Sequence, residues 1–353
     1  MNNRLLFSSD YMEGAHPKIM EKLVETNMVK TPGYGLDRYT ELAKEKIKMA
    51  CKAPNAEVHF LVGGTQTNAT MIDAFLDSYQ GVVAADTGHI NVHEAGAIEA
   101  NGHKILTIPS KLGKISSKQI YELLEDFKDD ANNQHMVMPG MVYLSQPTEY
   151  GTLYSFEELE NISRVCHEYH IPLYIDGARL AYALACPQND VSLSDMASLC
   201  DAFYIGGTKC GALFGEAIVI SKPGMIPHLF TIIKQHGALL AKGRMLGIQF
   251  YELFTGNLYQ NIGKTAIVAA QNLKKYLNEK GIELYFESPT NQIFCVVSNE
   301  QKNRMIKKVD FGVWQKFDSQ HTVIRFSTSW STKMDDVERL IAVLDQEITS
   351  KDM

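Results

Sequence analysis

Four short stretches of this chain carry side chains that chemistry could use, and each follows an apolar run. Tyr174-Ile175-Asp176-Gly177-Ala178-Arg179 delivers an acid at the end of one run, and Tyr204-Ile205-Gly206-Gly207-Thr208-Lys209 ends another in small residues, a hydroxyl and a lysine. Leu61-Val62-Gly63-Gly64-Thr65-Gln66-Thr67-Asn68 breaks through glycines into a helical pattern, and His89 comes soon after Val82–Ala85. A glycine turn at a helix N-terminus offers backbone N–H groups, here with the Thr65 hydroxyl, to a phosphate. The Asp176 carboxylate can pair with a pyridine nitrogen and favour its protonated form, which makes such a ring an electron sink. The Lys209 amine can form an imine with an aldehyde, with Thr208 beside it as a second phosphate hydroxyl. His89 can lie flat against a ring. Together the four suit the parts of a pyridoxal 5′-phosphate (PLP) site.

Each stretch also has a plainer explanation. A strand-to-helix glycine turn is common, and this one lacks the Gly-Lys-Ser/Thr ending of a P-loop. Asp-Gly after a strand is often only a turn, and a lysine at a strand end is usually solvated. His89 and His93 are spaced i, i+4 without the HExxH pattern, so no metal site is expected. His167 and His170 fall on the polar face of an amphipathic pattern and read as surface. What favours chemistry is the shared setting, because all four stretches follow strands of what reads as one sheet.

The elements that must position these residues alternate. Apolar runs at Val58–Val62, Val82–Ala85, Lys104–Ile108, Met141–Ser145, Pro172–Asp176, Ala202–Gly206 and Ala217–Ile220 are separated by helical patterns such as Thr67–Tyr79, Ser117–Phe127 and Ser155–Tyr169. Ser155 followed by Glu157 and Glu158 is a good helix start. Strands alternating with helices predict an α/β domain with a mostly parallel sheet, where ligands sit at the carboxyl ends of the strands. After Pro223 the pattern changes to helical stretches at Leu239–Phe254 and Tyr259–Glu279, then strand-like Ile293–Val297 and Thr322–Ser327, then a helix over Met334–Ile348. The expectation is a large domain over residues 1–235 and a linker helix with a small α+β domain over 236–353.

A net charge of −7 with no basic block interleaved with aromatics argues against nucleic acid as a partner. No uncharged run reaches membrane-spanning length and the start has no signal-peptide pattern, so a cytoplasmic address and no membrane partner are expected. Six scattered cysteines without a CxxC pair read as thiols rather than a disulfide framework.

At these residues the chain resembles the low-specificity L-threonine aldolases, in the β-eliminating lyase group of fold-type I PLP enzymes. The resemblance runs from about Phe7 to Trp330. Its elements are Ser9-Asp10, Tyr34-Gly35-Leu36-Asp37, Gly64-Thr65-Gln66-Thr67-Asn68, His89-Ile90 with Glu94-Ala95-Gly96, and above all Asp176-Gly177-Ala178-Arg179-Leu180 with Lys209 33 residues beyond Asp176. It implies that Lys209 holds the cofactor, that Asp176 binds its ring nitrogen, that Gly64 and Thr65 bind phosphate and that His89 stacks on the ring. Arg179 would sit near the phenolic oxygen and the substrate carboxylate, which Arg325 would grip with help from Ser9. Independently, an arginine fork suits a carboxylate. The alternative for Arg325 is an ordinary strand-surface arginine.

The implied reaction cleaves a small β-hydroxy-α-amino acid to glycine and an aldehyde, with His89 and His135 as candidate bases. A homo-oligomer, dimer or tetramer, is implied, with active sites at the interface and Tyr34 reaching across it. The alternative for Tyr34 is a turn aromatic packed in its own chain. The family pattern is departed from at Gly63, at Gln146-Pro147-Thr148-Glu149, where many members have Glu-Asn-Thr-His, at Gly206-Gly207-Thr208, and around Lys242-Gly243-Arg244, whose arginine is a candidate for a neighbouring subunit's phosphate. Two other readings stay open: another PLP reaction (β-elimination, racemisation or transamination) and a non-catalytic PLP- or nucleotide-binding protein.

Overall fold

A computed structural model describes residues 4–349; residues 1–3 and 350–353, the outer ends of the two expected domains, lie outside the described residues. In chain order the strands are β1 (Leu5–Leu6), β2 (Glu57–Leu61), β3 (Gln80–Ala85), β4 (Ile105–Ile108), β5 (Met138–Ser145), β6 (Leu173–Asp176), β7 (Ala202–Gly206), β8 (Glu216–Ile220), β9 (Gln292–Ser298), β10 (Val309–Asp310), β11 (Gly312–Lys316) and β12 (His321–Ser327). Seven of them form the central sheet in the order β2-β8-β7-β6-β5-β3-β4, parallel except for β8, which runs antiparallel to both its neighbours. A parallel sheet covered on both faces needs strands apolar at every position, and β6, β7 and β8 are buried along their whole length. Alternate residues serve opposite faces: Val83, Leu144, Ile175 and Phe203 pack in one core, and Val82, Tyr143, Tyr174 and Tyr204 in the other.

The strand order reverses beside β3, with β4 on one side and β5 on the other. A crevice outside the strand ends at such a switch point is where ligands bind in open α/β sheets. The segments leaving β3, β5, β6 and β7 there are those that carry His89, Ser145 to Glu149, Asp176 and Lys209. Gly177 and Gly206 let two of these ends touch. A Cβ on Gly177 would lie 2.1 Å from the Tyr204 carbonyl oxygen, and one on Gly206 2.4 Å from the Ala178 carbonyl oxygen. Any other residue at either position would push the acid and the lysine apart.

A three-stranded antiparallel sheet, β11-β12-β9, with helices Lys264–Glu279 and Met334–Leu344 forms the second layer. Packing crosses the expected division at residue 235/236 at both ends of the chain. β1 pairs with β10, and Leu5 and Phe7 enter the core formed by Leu273, Ile293, Phe326 and Leu340, so the N-terminal strand belongs to the small unit. Phe250, Leu253, Tyr259, Ile262 and Ile267 pack into the core of the large unit. Helix Lys264–Glu279 serves one core at its start, with Ala266 and Ile267, and the other at its end, with Leu273 and Leu277. Among the described residues no helix is long and apolar enough to cross a membrane, and all six cysteines are free and buried.

Candidate active site

Two adjoining cavities lie at the switch point. The inner one, about 360 Å³, is lined by Gly64, Thr65, His89, Asp176, Thr208, Lys209 and Glu216 among others. The outer one, about 570 Å³, is bounded by Arg325, Trp314 and Val313 of the small unit. Tyr11, His89, His93, Glu149, Arg179 and Lys209 line both.

Asp176 is buried and fully engaged. Its Oδ2 accepts from Tyr143 hydroxyl at 2.7 Å and Asn68 Nδ2 at 3.0 Å, and its Oδ1 from Ala178 N–H at 2.9 Å. Burial pushes this carboxyl up. The nearby His89 ring and the bonds from Tyr204, Asn68 and Tyr143 outweigh it, so the acid is held below its ordinary range and stays ionised. Asn68 also donates to Glu94 Oε1 at 2.8 Å, and Tyr174 hydroxyl donates to Asn68 Oδ1 at 3.1 Å. Glu94 Oε1 lies 2.7 Å from His89 Nδ1; a carboxylate oxygen accepts, so the ring proton sits on Nδ1. This buried chain from Asp176 through Asn68 and Glu94 to His89 fixes the imidazole over the cavity.

The Lys209 amine is pushed below the usual lysine range, mainly by burial and then by Arg179, against the pull of Asp10, Asp176 and Glu216. A larger neutral fraction makes it a better nucleophile toward an aldehyde. Its backbone is clamped where Tyr182 hydroxyl donates to the Lys209 carbonyl at 2.6 Å. Glu216, on β8, accepts from Thr208 hydroxyl at 2.7 Å and Gly207 N–H at 3.0 Å, and burial raises its carboxyl to about 8.

Across the outer cavity, Arg325 donates to Gln292 Oε1 at 3.0 Å and to the Ser8 carbonyl at 3.1 Å, while its buried Nε finds no partner among the described residues. Trp314 covers the guanidinium at 5.3 Å. Burial, with Arg179 nearby, lowers it to about 10. A half-buried guanidinium bonded only to neutral oxygens keeps its charge available to an anion. Arg179 is different, because Asp10 holds its fork at 2.6 and 2.9 Å.

The fold brings Lys209, Asp176, His89, Gly64, Thr65, Thr208, Arg179 and Arg325 together. It does not bring His135. That residue is exposed in a short 3₁₀ turn before β5, at the amino end of a strand whose carboxyl end meets the site, roughly 23 Å away at the usual rise per residue. Thr208 reaches the cavity, but its proton is spent on Glu216. Ser9 lines neither cavity; its neighbour Ser8 meets Arg325 through a backbone carbonyl. Tyr34 is exposed in a left-handed turn outside its own chain's site, with Lys234 Nζ 4.5 Å from its ring, and lines a separate cavity of about 100 Å³. Arg244 lines neither cavity of its own chain: it donates to the carbonyls of Thr26, Asn27 and Val29 at the end of helix Pro17–Thr26.

Several residues escaped the sequence reading as site members. Tyr143, Tyr174 and Tyr204 signal only buried strands, and Glu216 sits inside an apolar run. Asp10 and Glu94 were visible only as parts of family motifs, and Glu149 only as a departure from one. Their contacts join segments far apart in the chain, such as Asn291 donating to Asp10 at 2.9 Å.

A doubly wound sheet presenting a lysine and a buried, ionised acid at its switch point defines the class, and comparison with known proteins names it. The beta-eliminating lyase family model matches residues 7–300, and the chain belongs to that family. The low-specificity L-threonine aldolase of Pseudomonas aeruginosa is 29% identical over 345 residues, 95% of each chain. That of Saccharomyces cerevisiae is 27% identical over 241 residues, 67% of this chain and 60% of its own. Among solved structures, Leishmania major threonine aldolase superposes with a TM-score of 0.93 at 40% identity, covering 97% of this chain and 98% of that one. A putative L-allo-threonine aldolase from Listeria monocytogenes shares the fold, with a TM-score of 0.75 at 19% identity.

Proposed function

We propose that the protein is a PLP-dependent carbon–carbon lyase that cleaves L-threonine, L-allo-threonine and related β-hydroxy-α-amino acids to glycine and an aldehyde. It would act as a cytoplasmic homo-oligomer, dimer or tetramer, with Tyr34 serving a neighbouring copy. The observation that carries the reading is one continuous space with Lys209 facing an ionised Asp176 at one end and Arg325, lacking a carboxylate partner, at the other. The domain division this implies, a small unit that includes β1 and closes over the outer cavity, belongs to the same proposal.

The residues present fit the coenzyme. Helix Gly64–Phe75 starts at Gly63 with no side-chain cap, so its first N–H groups and the adjoining Thr65 hydroxyl are open to a phosphate. Asp176 matches a protonated ring nitrogen, and His89, held by Glu94, provides a flat wall. Lys209 would hold the aldehyde end through its amine. Bound there, PLP supplies an electron sink for the pair left at Cα when a Cα bond breaks.

The chain's own residues do the rest. Arg325 would bind the substrate carboxylate, supported by Arg179 and by Ser9 in the segment it fastens. This fixes which Cα bond is aligned for cleavage. Asp10 neutralises Arg179, so the cavity does not present two uncompensated arginines to one carboxylate. The β-hydroxyl then faces the wall shared by the two cavities, where a proton acceptor must stand; of the two histidines expected there, only His89 reaches it.

Supplying PLP and following acetaldehyde, glycine and pyruvate from L-threonine, L-allo-threonine and L-serine tests the reading. Acetaldehyde with equimolar glycine, and borohydride labelling of Lys209 that disappears in Lys209→Ala, are expected. Pyruvate without acetaldehyde would transfer the site to β-elimination, and a coloured protein without turnover would leave only a binding protein.

A further inference from the structure

We propose that Glu149 is the group that takes the proton from the substrate's β-hydroxyl; this rests on the aldolase reading above. Glu149 is only 9% exposed, yet it lines both cavities, at the wall where the lysine end meets the arginine end. Its Oε1 is fixed by two donors from different segments, His89 N–H at 2.9 Å and Ser145 hydroxyl at 2.8 Å. Gln292 ties it to the carboxylate receptor, donating through Nε2 to the Glu149 carbonyl at 3.3 Å while its Oε1 accepts from Arg325. One side chain therefore sets the spacing between the group that would grip the α-carboxylate and the group that would meet the β-hydroxyl.

The rival acceptors are placed less well. His89 also lines both cavities, but its Nδ1 is committed to Glu94 and its ring is the flat wall the coenzyme would lie against. His93 is exposed and has no orienting hydrogen bond among the described residues; its ring meets only that of His89, at 5.7 Å. Around Glu149 stand Asp176 on β6, His89, Tyr143 on β5, Tyr154 and Arg179. Burial raises its carboxyl above the ordinary glutamate range, with Asp176 adding to this against the Ser145 bond and His89. A raised carboxylate is a better base near neutral pH, and it acts only above its own pKa.

In the step, the β-hydroxyl O–H bond breaks and its proton goes to the Glu149 carboxylate. The oxygen's pair closes the aldehyde C=O, and the Cα–Cβ bond breaks with its electrons left at Cα. Cα then takes a proton, giving glycine, and Glu149 returns its own to water, so threonine is divided with no net proton change.

The test compares wild type, Glu149→Gln and Glu149→Asp, each loaded with PLP. Solvent exchange of the α-protons of glycine, which has no β-hydroxyl, is the control reaction. Glu149→Gln should lower kcat for L-threonine cleavage about 10²- to 10⁴-fold while glycine exchange and PLP affinity, read by fluorescence titration, stay within about threefold. Glu149→Asp should recover part of the rate. In wild type, L-threonine cleavage should lose rate as pH falls through an acidic limb that glycine exchange lacks, a result that needs no variant to fold. Cleavage by Glu149→Gln within about tenfold of wild type, equal losses of cleavage and exchange, or an acidic limb common to both reactions would each overturn the assignment. Wild type that exchanges glycine protons yet releases no acetaldehyde would instead overturn the aldolase reading beneath it.

Discussion

Replacing Asp10 by Asn removes the negative member of a buried pair while leaving its shape. Asp10 has no exposed surface and holds Arg179 through two hydrogen bonds, with a third from Asn291. Burial alone would raise its carboxyl; the charge and hydrogen bonds of Arg179, then Lys209 and Asn291, bring it instead from 3.8 down to about 2. At about 1.4 kcal/mol per pKa unit, that contributes roughly 2 kcal/mol of folding stability at neutral pH. The variant should lose more, about 3–5 kcal/mol, because Arg179 would stay buried without a counter-charge and beside two other cations, Arg325 and Lys209. The sign with pH follows from the depressed value. The contribution is complete above the unfolded carboxyl's pKa near 4 and is lost as pH falls through about 2. Urea unfolding at pH 7, repeated stepwise from pH 4 to 2, measures both. Wild type should lose stability over the acidic window by an increment that Asp10→Asn does not show. Equal stabilities at pH 7, or equal losses in acid, would refute the reasoning.

Arg325→Lys should lower kcat/KM for L-threonine about 10- to 150-fold, the loss of about 1.5–3 kcal/mol of charge-assisted hydrogen bonding, with PLP affinity unchanged. Steady-state kinetics and fluorescence titration check this in parallel. Thr65→Val should weaken PLP binding about 5- to 10-fold, one hydrogen bond's worth, without moving the melting temperature of the coenzyme-free protein. His135→Ala should leave stability within about 0.5 kcal/mol and turnover unchanged, as for an exposed turn residue remote from the site. A drop in its kcat would return His135 to the mechanism.

Much of the fold could be read from the chain because its signals are local. A parallel sheet covered by helices demands unbroken apolar runs, and those near β4, β6, β7 and β8 fall within a residue of the observed strands. β5 begins three residues earlier than expected and takes in Pro139 and Gly140, residue types that are rare inside strands but are tolerated at a strand's start. The two-residue β1 and β10 carry no periodicity at all and exist only because they pair with each other.

That Asp176, Lys209, Gly64 and Thr65 share one cavity was legible for the same reason: each lies at or just past the end of an apolar run, where this architecture opens its crevice. The remaining placements depend on contacts across long stretches of chain, which residue spacing does not encode. His135 resembled a base by type, but it lies at the wrong end of its strand. Arg179 looked free until Asp10, 169 residues away, closed on it. Glu149 was one acid among 41 Asp and Glu residues. Burial, the His89 N–H and the Gln292 bridge to Arg325 set it apart; the N–H contact exists only once β3 and β5 lie side by side, and the bridge only once the two units pack together.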